Sequence, residues 1–278
     1  MTQTILREFS SWPQFTTSAN DPSLFAWTRT QKKSSHEKDH DRDPWHGTLD
    51  FSTAIEMATQ TGWPEGRTLL HDSLTAALPR PTYFPSLEFS VAGAFPLIPL
   101  FAAGDPECMV TDPGSILRSA QPIVRIDYNN WISSSVTPRD MILRGAAVLS
   151  FANSLEQRGQ QTELRIVGNS QANNQTFRIS IIYKPAGETL DLDRAAFAIA
   201  HPASLRRLAF AIMEQHPKLE SNFCHGYGRP LHEPNDPKPS TVFVPGSRGH
   251  ETPTSARLAV ELAAQQAGLI TPDSEQET

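Results

Sequence analysis

Residues 123–167 read IVRIDYNNWISSSVTPRDMILRGAAVLSFANSLEQRGQQTELRIV, and they decide the fold that the sequence predicts. The first six are mostly β-branched or aromatic residues, which favour a strand. After a polar loop, Thr137 suits a helix N-cap, Pro138 suits the first helical position, and Asp140 can reach back to the cap. A long helix is therefore predicted to begin here and to run to about Gln157.

A second strand is predicted directly after this helix. Gly159 ends the helix, and residues 162–167 alternate apolar and polar side chains, as a half-buried strand does. Residues 177–183 alternate likewise, and the turn formers between the two segments, GNSQANNQ, predict a loop over 168–175. A strand, a helix and a second strand in this order predict a parallel pair with a right-handed crossover.

Further helices are predicted toward the carboxyl end. They are expected from Asp191 or Asp193 to Ile199, over 203–215, and over 255–267. The predicted fold class is therefore α/β, with a central, mostly parallel sheet and flanking helices. Long proline-rich irregular segments are expected to wrap this sheet.

The first part of the chain, residues 1–118, is predicted to be helical and irregular. Apolar residues recur at helical spacing from Phe51 to Thr61, and Gly62 suits the end of that helix. A second short helix is predicted over 67–77. Residues 31–46 are almost wholly charged or polar and predict an exposed or disordered segment.

The α/β module is predicted over 119–270, and the acidic tail 271–278 is predicted to be disordered. The chain has 23 prolines, which predict abundant irregular structure. Eight of them lie in 79–122, where loops and short strands such as 87–91 are expected.

Composition limits the classes of function. The 278 residues include 24 Lys and Arg against 30 Asp and Glu, a net charge of −6, so phosphate-backbone binding is not the expected main role. No stretch approaches the about 20 apolar residues of a spanning helix, and no signal peptide is evident. Cys108 and Cys224 form no CxxC pair, which favours a cytoplasmic location.

The candidate binding site is the loop that follows the first strand of the module. Open α/β sheets bind ligands at the carboxyl ends of their strands. The polar residues predicted there are Asp127, Asn129, Asn130, Ser133, Ser134 and Ser135. Carboxylate, amide and hydroxyl oxygens suit Mg²⁺ or Ca²⁺, so Asp127 is the candidate metal ligand. No other cofactor is predicted.

Residues 120–216 resemble a von Willebrand factor A-type domain. Such domains open with a strand, a metal-binding loop, a long helix, a small stop and a second strand, as residues 127–159 followed by TELRIV do here. The resemblance implies this fold and a metal site in the loop. The metal-binding loop of that family has the pattern Asp-x-Ser-x-Ser. Residues 127–131 of this chain are Asp-Tyr-Asn-Asn-Trp, so only Asp127 matches the pattern. Asn129, at the position of the first serine, can supply a second oxygen.

A second resemblance concerns the whole chain. The segments GWPEG, RGAAVLSFANSLEQRG and DLDRAAFAIAHPASLRRLAF are similar to a family encoded largely by bacteriophages. This resemblance implies a viral origin and a setting in the host cytoplasm. It supplies no catalytic residues.

Two clusters support an alternative function, a metal-dependent hydrolase. HEKDH over 36–40 matches the zinc-protease pattern H-E-x-x-H, but its charged surroundings offer no apolar helix face, so a solvated loop is favoured. His225 and His232, near Cys224, could act with Asp127, but an ordered loop over the core is favoured.

A second alternative is nucleic-acid binding through the basic residues Arg194, Arg206, Arg207 and Lys218. The arginines lie on helices with an apolar face and are predicted to be solvated. The leading prediction is a phage-encoded, non-enzymatic binding or assembly scaffold. It would contact another protein, encoded by the phage or its host, at the strand-end loop, with no membrane and no nucleic acid as the main partner.

Overall fold

The computed structural model describes eleven stretches of the chain: 3–24, 35, 44–66, 89–93, 95–96, 101–110, 123–157, 159–172, 175–216, 241–247 and 249–269. Its strands and α-helices are, in chain order, β1 (Gln3–Phe9), α1 (Trp12–Ala19), α2 (Phe51–Glu56), β2 (Phe89–Ser90), β3 (Phe95–Pro96), β4 (Met109–Val110), β5 (Val124–Asn129), α3 (Pro138–Glu156), β6 (Thr162–Ala172), β7 (Gln175–Lys184), α4 (Leu192–Ala195), α5 (Phe210–Glu214), β8 (Thr241–Val244) and α6 (Pro253–Gln266). Turns of π-helix follow α2 (Met57–Thr61), follow α4 (Ala196–Ala200) and precede α5 (Ser204–Ala209), and 3₁₀ turns cover Pro22–Leu24 and Pro44–His46.

The central sheet has five strands in the order β1-β7-β6-β5-β8. β5 runs parallel to both β6 and β8, and β1 runs parallel to β7; among the described pairs of this sheet, only β6 with β7 is antiparallel. The predicted α/β class with a mostly parallel central sheet is therefore confirmed. A separate small sheet joins β2, β4 and β3.

The start of α3 confirms the local signals in the sequence. The Thr137 hydroxyl accepts a hydrogen bond from the Asp140 amide at 3.3 Å, and the Asp140 carboxylate accepts one from the Thr137 amide at 3.1 Å. Pro138 occupies the first helical position, where its missing N–H leaves no intrahelical partner unused. Past the helix end, Gly159 has a φ of +81°, a conformation that glycine adopts without strain.

The prediction of a loop over 168–175 was wrong. Pairing of β6 with β7 continues until Ala172 lies opposite Gln175. A Cβ at Gly168 would lie 2.4 Å from Cε3 of Trp131, so the indole packs directly on the strand there. Asn169 and Ser170 are buried as well. Tertiary packing thus keeps in the sheet residues whose local preference is for turns.

The core joins both predicted regions of the chain. The apolar face of β5, β6 and β7 carries residues such as Ile126, Leu164 and Ile179, and it shares one buried cluster with Phe9 and Phe15 near the start of the chain. β1 itself was not predicted. No described helix is both long and apolar enough to cross a membrane.

The prediction of an exposed segment over 31–46 was wrong at two of its described positions, Ser35 and His46, which are buried. Ser35 donates hydrogen bonds to the Glu214 carboxylate from its amide at 2.9 Å and from its hydroxyl at 2.8 Å. A buried carboxylate thus provides the acceptors that a polar serine needs in the interior. Other predictions lie outside the described residues: the helix over 67–77, HEKDH, Cys224, His225, His232, Lys218 and the tail.

Candidate binding site

The strand-end loop, residues 129–136, leads from β5 to α3. Its first half is tied to the sheet, because the Asn129 side chain accepts a hydrogen bond from the Trp131 amide at 2.9 Å. The Asn130 amide donates to the carbonyl oxygen of Val167 on β6 at 3.3 Å. Trp131 then inserts its ring into the core, 5.8 Å from Phe177. The start of the loop therefore has a fixed path.

The second half of the loop is held by residues distant in sequence. The Trp45 indole donates to the Ser134 carbonyl at 3.0 Å, and the Arg206 guanidinium donates to the Val136 carbonyl at 2.5 Å. Arg206 also lies over the Trp45 ring, 4.3 Å from its centroid, in a cation–π contact. Sequence reasoning missed both anchors, since nothing in their local pattern links them to this loop.

The prediction that Arg206 and Arg207 are solvated was wrong. Their exposed fractions are 1% and 0%. Arg207 donates to the Thr48 hydroxyl at 2.9 Å and to the Thr48 and Leu49 carbonyls at 3.0 and 3.1 Å. These acceptors compensate for the water that each guanidinium loses, and no local pattern reveals them. Neither arginine can therefore reach a phosphate backbone, whereas Arg194 is exposed as predicted.

The rim of the loop presents hydroxyl groups. Ser134 and Ser135 are exposed, and Ser133 is half-buried. The Ser135 hydroxyl donates to the Ser133 hydroxyl oxygen at 3.0 Å. The predicted serines are thus together at the surface, on a loop whose backbone is anchored on both sides.

Asp127 lies apart from this rim. Its side chain belongs to the face of the sheet opposite Ile126 and Tyr128, because successive residues of a strand alternate. There Asp127 Oδ1 lies 3.4 Å from Arg165 Nε, and Arg165 also donates to the Ser180 hydroxyl at 2.8 Å. Asp127 therefore takes part in a row of polar contacts across β5, β6 and β7.

The residues of the predicted metal site do not form one ligand set here. A divalent cation of this kind needs about six converging oxygens. Asp127 faces a guanidinium, the Asn129 oxygen accepts from a backbone amide, and Ser133 bonds Ser135. Across the described part of the chain, no group of three or more His, Cys, Asp and Glu side chains could hold a metal ion. Metal binding at Asp127 therefore stays a prediction.

Four buried polar atoms beside the loop have no hydrogen-bond partner in the described structure. They are Asn130 Oδ1, Trp131 Nε1, Asn169 Oδ1 and Ser170 Oγ. All four residues are at most 3% exposed. Leaving such a group unpaired costs about 1–3 kcal/mol, so this end of the sheet keeps unused hydrogen-bonding capacity. The signal in the sequence was the run of polar residues after Val167, which was interpreted as a turn.

The floor of the site is a buried ionic cluster between the starts of α3 and α6. Arg144 forms an ion pair with Glu251, and the Glu251 amide donates to Asp140 at 2.9 Å. A Cβ at Gly246 would lie 2.9 Å from the Asn129 carbonyl oxygen, so the segment between β8 and α6 packs closely against the end of β5.

The electrostatics of this cluster favour anchoring over acid–base chemistry. Burial alone would raise the pKa of Asp140, but hydrogen bonds from Thr137 and the Glu251 amide lower it below its ordinary value. Burial would likewise raise the pKa of Glu251, and bonds from Ser255 and Arg144 lower it. Both carboxylates therefore stay ionised at neutral pH, with their oxygens already engaged, which does not suit a general acid.

A family model described as "Domain of unknown function (DUF7192)" matches residues 1–269. The chain belongs to this family. No curated protein and no solved structure matches the chain. The DUF7192 match spans both the first part of the chain and the α/β module, in agreement with their shared sheet and core.

Proposed function

We propose that this DUF7192 protein is a non-enzymatic binding or assembly scaffold that docks another protein at the strand-end loop. The observation that carries the proposal is the fixed shape of a surface loop. Its backbone is held from β6, Trp45 and Arg206, while the side chains of Ser134 and Ser135 point to solvent. A loop ordered in advance loses little conformational entropy on binding, which favours affinity.

The chemistry around the loop supports binding over catalysis. Asp140 and Glu251 are ionised and engaged in hydrogen bonds, and Arg206 and Arg207 are occupied by carbonyl oxygens. The exposed hydroxyl groups of Ser134 and Ser135 offer hydrogen bonds to a docked partner. No observation on the described residues favours the hydrolase.

The same proposal extends to the partner, the location and the α/β module. The partner is a protein encoded by a phage or its host, the location is the host cytoplasm, and residues 120–216 act as a von Willebrand factor A-like module. The net charge of −6 and the burial of Arg206 and Arg207 support a partner other than nucleic acid.

The test compares two doubly substituted variants. Ser134→Arg with Ser135→Arg places bulky cations on the loop rim, whereas Leu258→Arg with Leu262→Arg does the same on exposed positions of α6. Both should unfold at the wild-type temperature, since Ser134 and Ser135 are exposed and the two leucines are about half exposed, at 50% and 48%. Each protein is used to capture partners from lysate of its natural host, and the recovered proteins are quantified by mass spectrometry.

We expect a partner that wild type and the α6 variant both recover and that the loop variant loses at least tenfold. Equal recovery of every protein by all three would overturn the proposal. Loss with the α6 variant alone would move the docking surface to α6 and would overturn it as well.

A further inference from the structure

Among the strands that the structure describes, β1 forms one edge of the central sheet. All seven of its residues, Gln3–Phe9, lie in parallel register with residues 175–181 of β7. No described residue pairs with its other side. The strand carries the charged residues Arg7 and Glu8, but it contains neither proline nor a bulge, two other devices that keep an edge strand from pairing with another chain.

The side chains of this edge leave an apolar group in water. Leu6 is 55% exposed, and Thr4 and Glu8 on the same face are exposed too. On the other face Phe9 is buried, and the Arg7 guanidinium donates to the Gln215 side chain at 3.2 Å. The edge is thus firmly placed in the fold, with one large apolar side chain at its centre.

We propose that β1 is a self-association edge, which pairs antiparallel with β1 of a second copy of this chain around a two-fold axis at Leu6. The five strands of each copy would then form one continuous ten-stranded sheet. This goes beyond the docking function proposed above, because β7 and β6 separate β1 from the strand β5 that leads into the strand-end loop.

The pairing pattern of β1 favours its own copy over an unrelated strand. Leu6 is the central residue of Gln3–Phe9, so a register centred on it pairs all seven residues. Leu6 then faces Leu6, and Thr4 faces Glu8, with no like charges opposed. A shift of the centre to Arg7 or to Glu8 opposes identical charges, which is destabilising. A centre at Ile5 leaves Glu8 and Phe9 unpaired within the strand.

The strength of this association follows from its size. A single pair of seven-residue strands is a small contact beside the about 1,200–2,000 Å² of a stable interface, so the dimer is weak and depends on concentration. Backbone hydrogen bonds supply much of the attraction, and contact between the two Leu6 side chains removes apolar surface from water.

Disulfide trapping tests the register. Opposed residues of antiparallel strands have Cα atoms about 4.5–5.5 Å apart, within the range of a disulfide. Under mild oxidation of the full chain, we expect Leu6→Cys to give a covalent dimer, seen by non-reducing electrophoresis. Thr4→Cys and Glu8→Cys should each give only the wild-type background, because the identical positions lie about 13 Å apart along the strand. An equal mixture of these two variants should form the heterodimer.

Two results would overturn the proposal. One is a Leu6→Cys yield no higher than that of wild type, and the other is equal crosslinking by all three single variants, which marks random collision. Sedimentation velocity gives a test without a crosslink. Wild type should shift toward a dimer at high concentration, whereas Leu6→Asp, with its thermal unfolding unchanged, should remain a monomer. A wild-type protein that stays monomeric at that concentration also overturns the inference.

Discussion

His201 shows how burial sets the charge of a single residue. Its ring stacks on Phe197 with centroids 5.1 Å apart and meets the Trp63 ring edge-on at 4.7 Å. The ring atom Nδ1 accepts a hydrogen bond from the Ala203 amide at 3.2 Å, which requires the unprotonated nitrogen. Burial lowers the pKa of His201 to about 4, so the folded protein holds it neutral.

The first prediction concerns the stability of the protein in acid. The pKa of His201 is about 4 in the folded protein and 6.5 in the unfolded chain. Its contribution to the free energy of unfolding is therefore fully present above pH 6.5 and is lost as the pH falls toward 4. The loss amounts to about 3 kcal/mol. His201→Asn keeps an acceptor near Nδ1 and cannot titrate, so its free energy of unfolding should fall less over this window.

Urea unfolding at both ends of this pH range measures the difference. The folded state lowers the pKa values of Asp140 and Glu251 as well, so protonation of these carboxylates in acid also reduces the free energy of unfolding. This reduction is the same in wild type and in His201→Asn. An identical acid-induced loss in wild type and His201→Asn would rule out this role for the histidine.

At the scale of elements, two close approaches place α3. A Cβ at Gly145 would lie 2.5 Å from the Cα of Ala200, so a glycine is needed where α3 crosses the π-helical turn after α4. The ion pair of Arg144 with Glu251 ties α3 to the start of α6. Ser255 donates to the same carboxylate at 2.6 Å, which completes the link between the two helix starts.

The second prediction tests this link. Arg144→Met leaves Glu251 buried without its cation, and we expect a loss of about 3–5 kcal/mol in the free energy of unfolding. The double variant Arg144→Met with Glu251→Gln removes the unpaired charge and should recover a large part of that loss. Chemical denaturation of the three proteins gives the comparison. A double variant less stable than Arg144→Met would contradict this account of the cluster.

At the scale of the whole molecule, the two predicted regions share one core. β1 supplies a strand to the sheet of the α/β module, and Phe15 of α1 is fully buried in the same apolar cluster as Val260 of α6. A contiguous core of this kind favours unfolding as one cooperative unit.

The third prediction follows from this shared core. Phe15→Ala removes a fully buried ring from the first part of the chain and should lower the free energy of unfolding by about 3–5 kcal/mol. Far-UV circular dichroism and tryptophan fluorescence should report the same, single transition in wild type and variant. Two separated transitions, with only one of them shifted by Phe15→Ala, would show that the regions unfold independently.

How much was predictable depended on how local each signal is. Signals that depend on neighbouring residues, or on the spacing of apolar residues alone, were predicted correctly. They are the cap at Thr137, the helix to Glu156 and the parallel pair β5–β6. The strand-end loop was located by the rule that ligands meet strand ends. The six residues predicted to form the site do not lie together. The alternation of side chains along β5 places Asp127 beside Arg165 on one face of the sheet, whereas the other five residues lie in the loop.

The sequence by itself determined the α/β class, the order of the central elements and the polar character of the loop. These features depend on the spacing of apolar residues and on capping residues, which lie close together in the chain. Only the tertiary structure decided that β1 joins the sheet, that Asn169 and Ser170 stay in a strand, and that Arg206 is buried beneath the loop. The reason is that burial and hydrogen-bond satisfaction depend on partners far away in the chain, such as Trp45 for Arg206, and these exist only once the chain has folded.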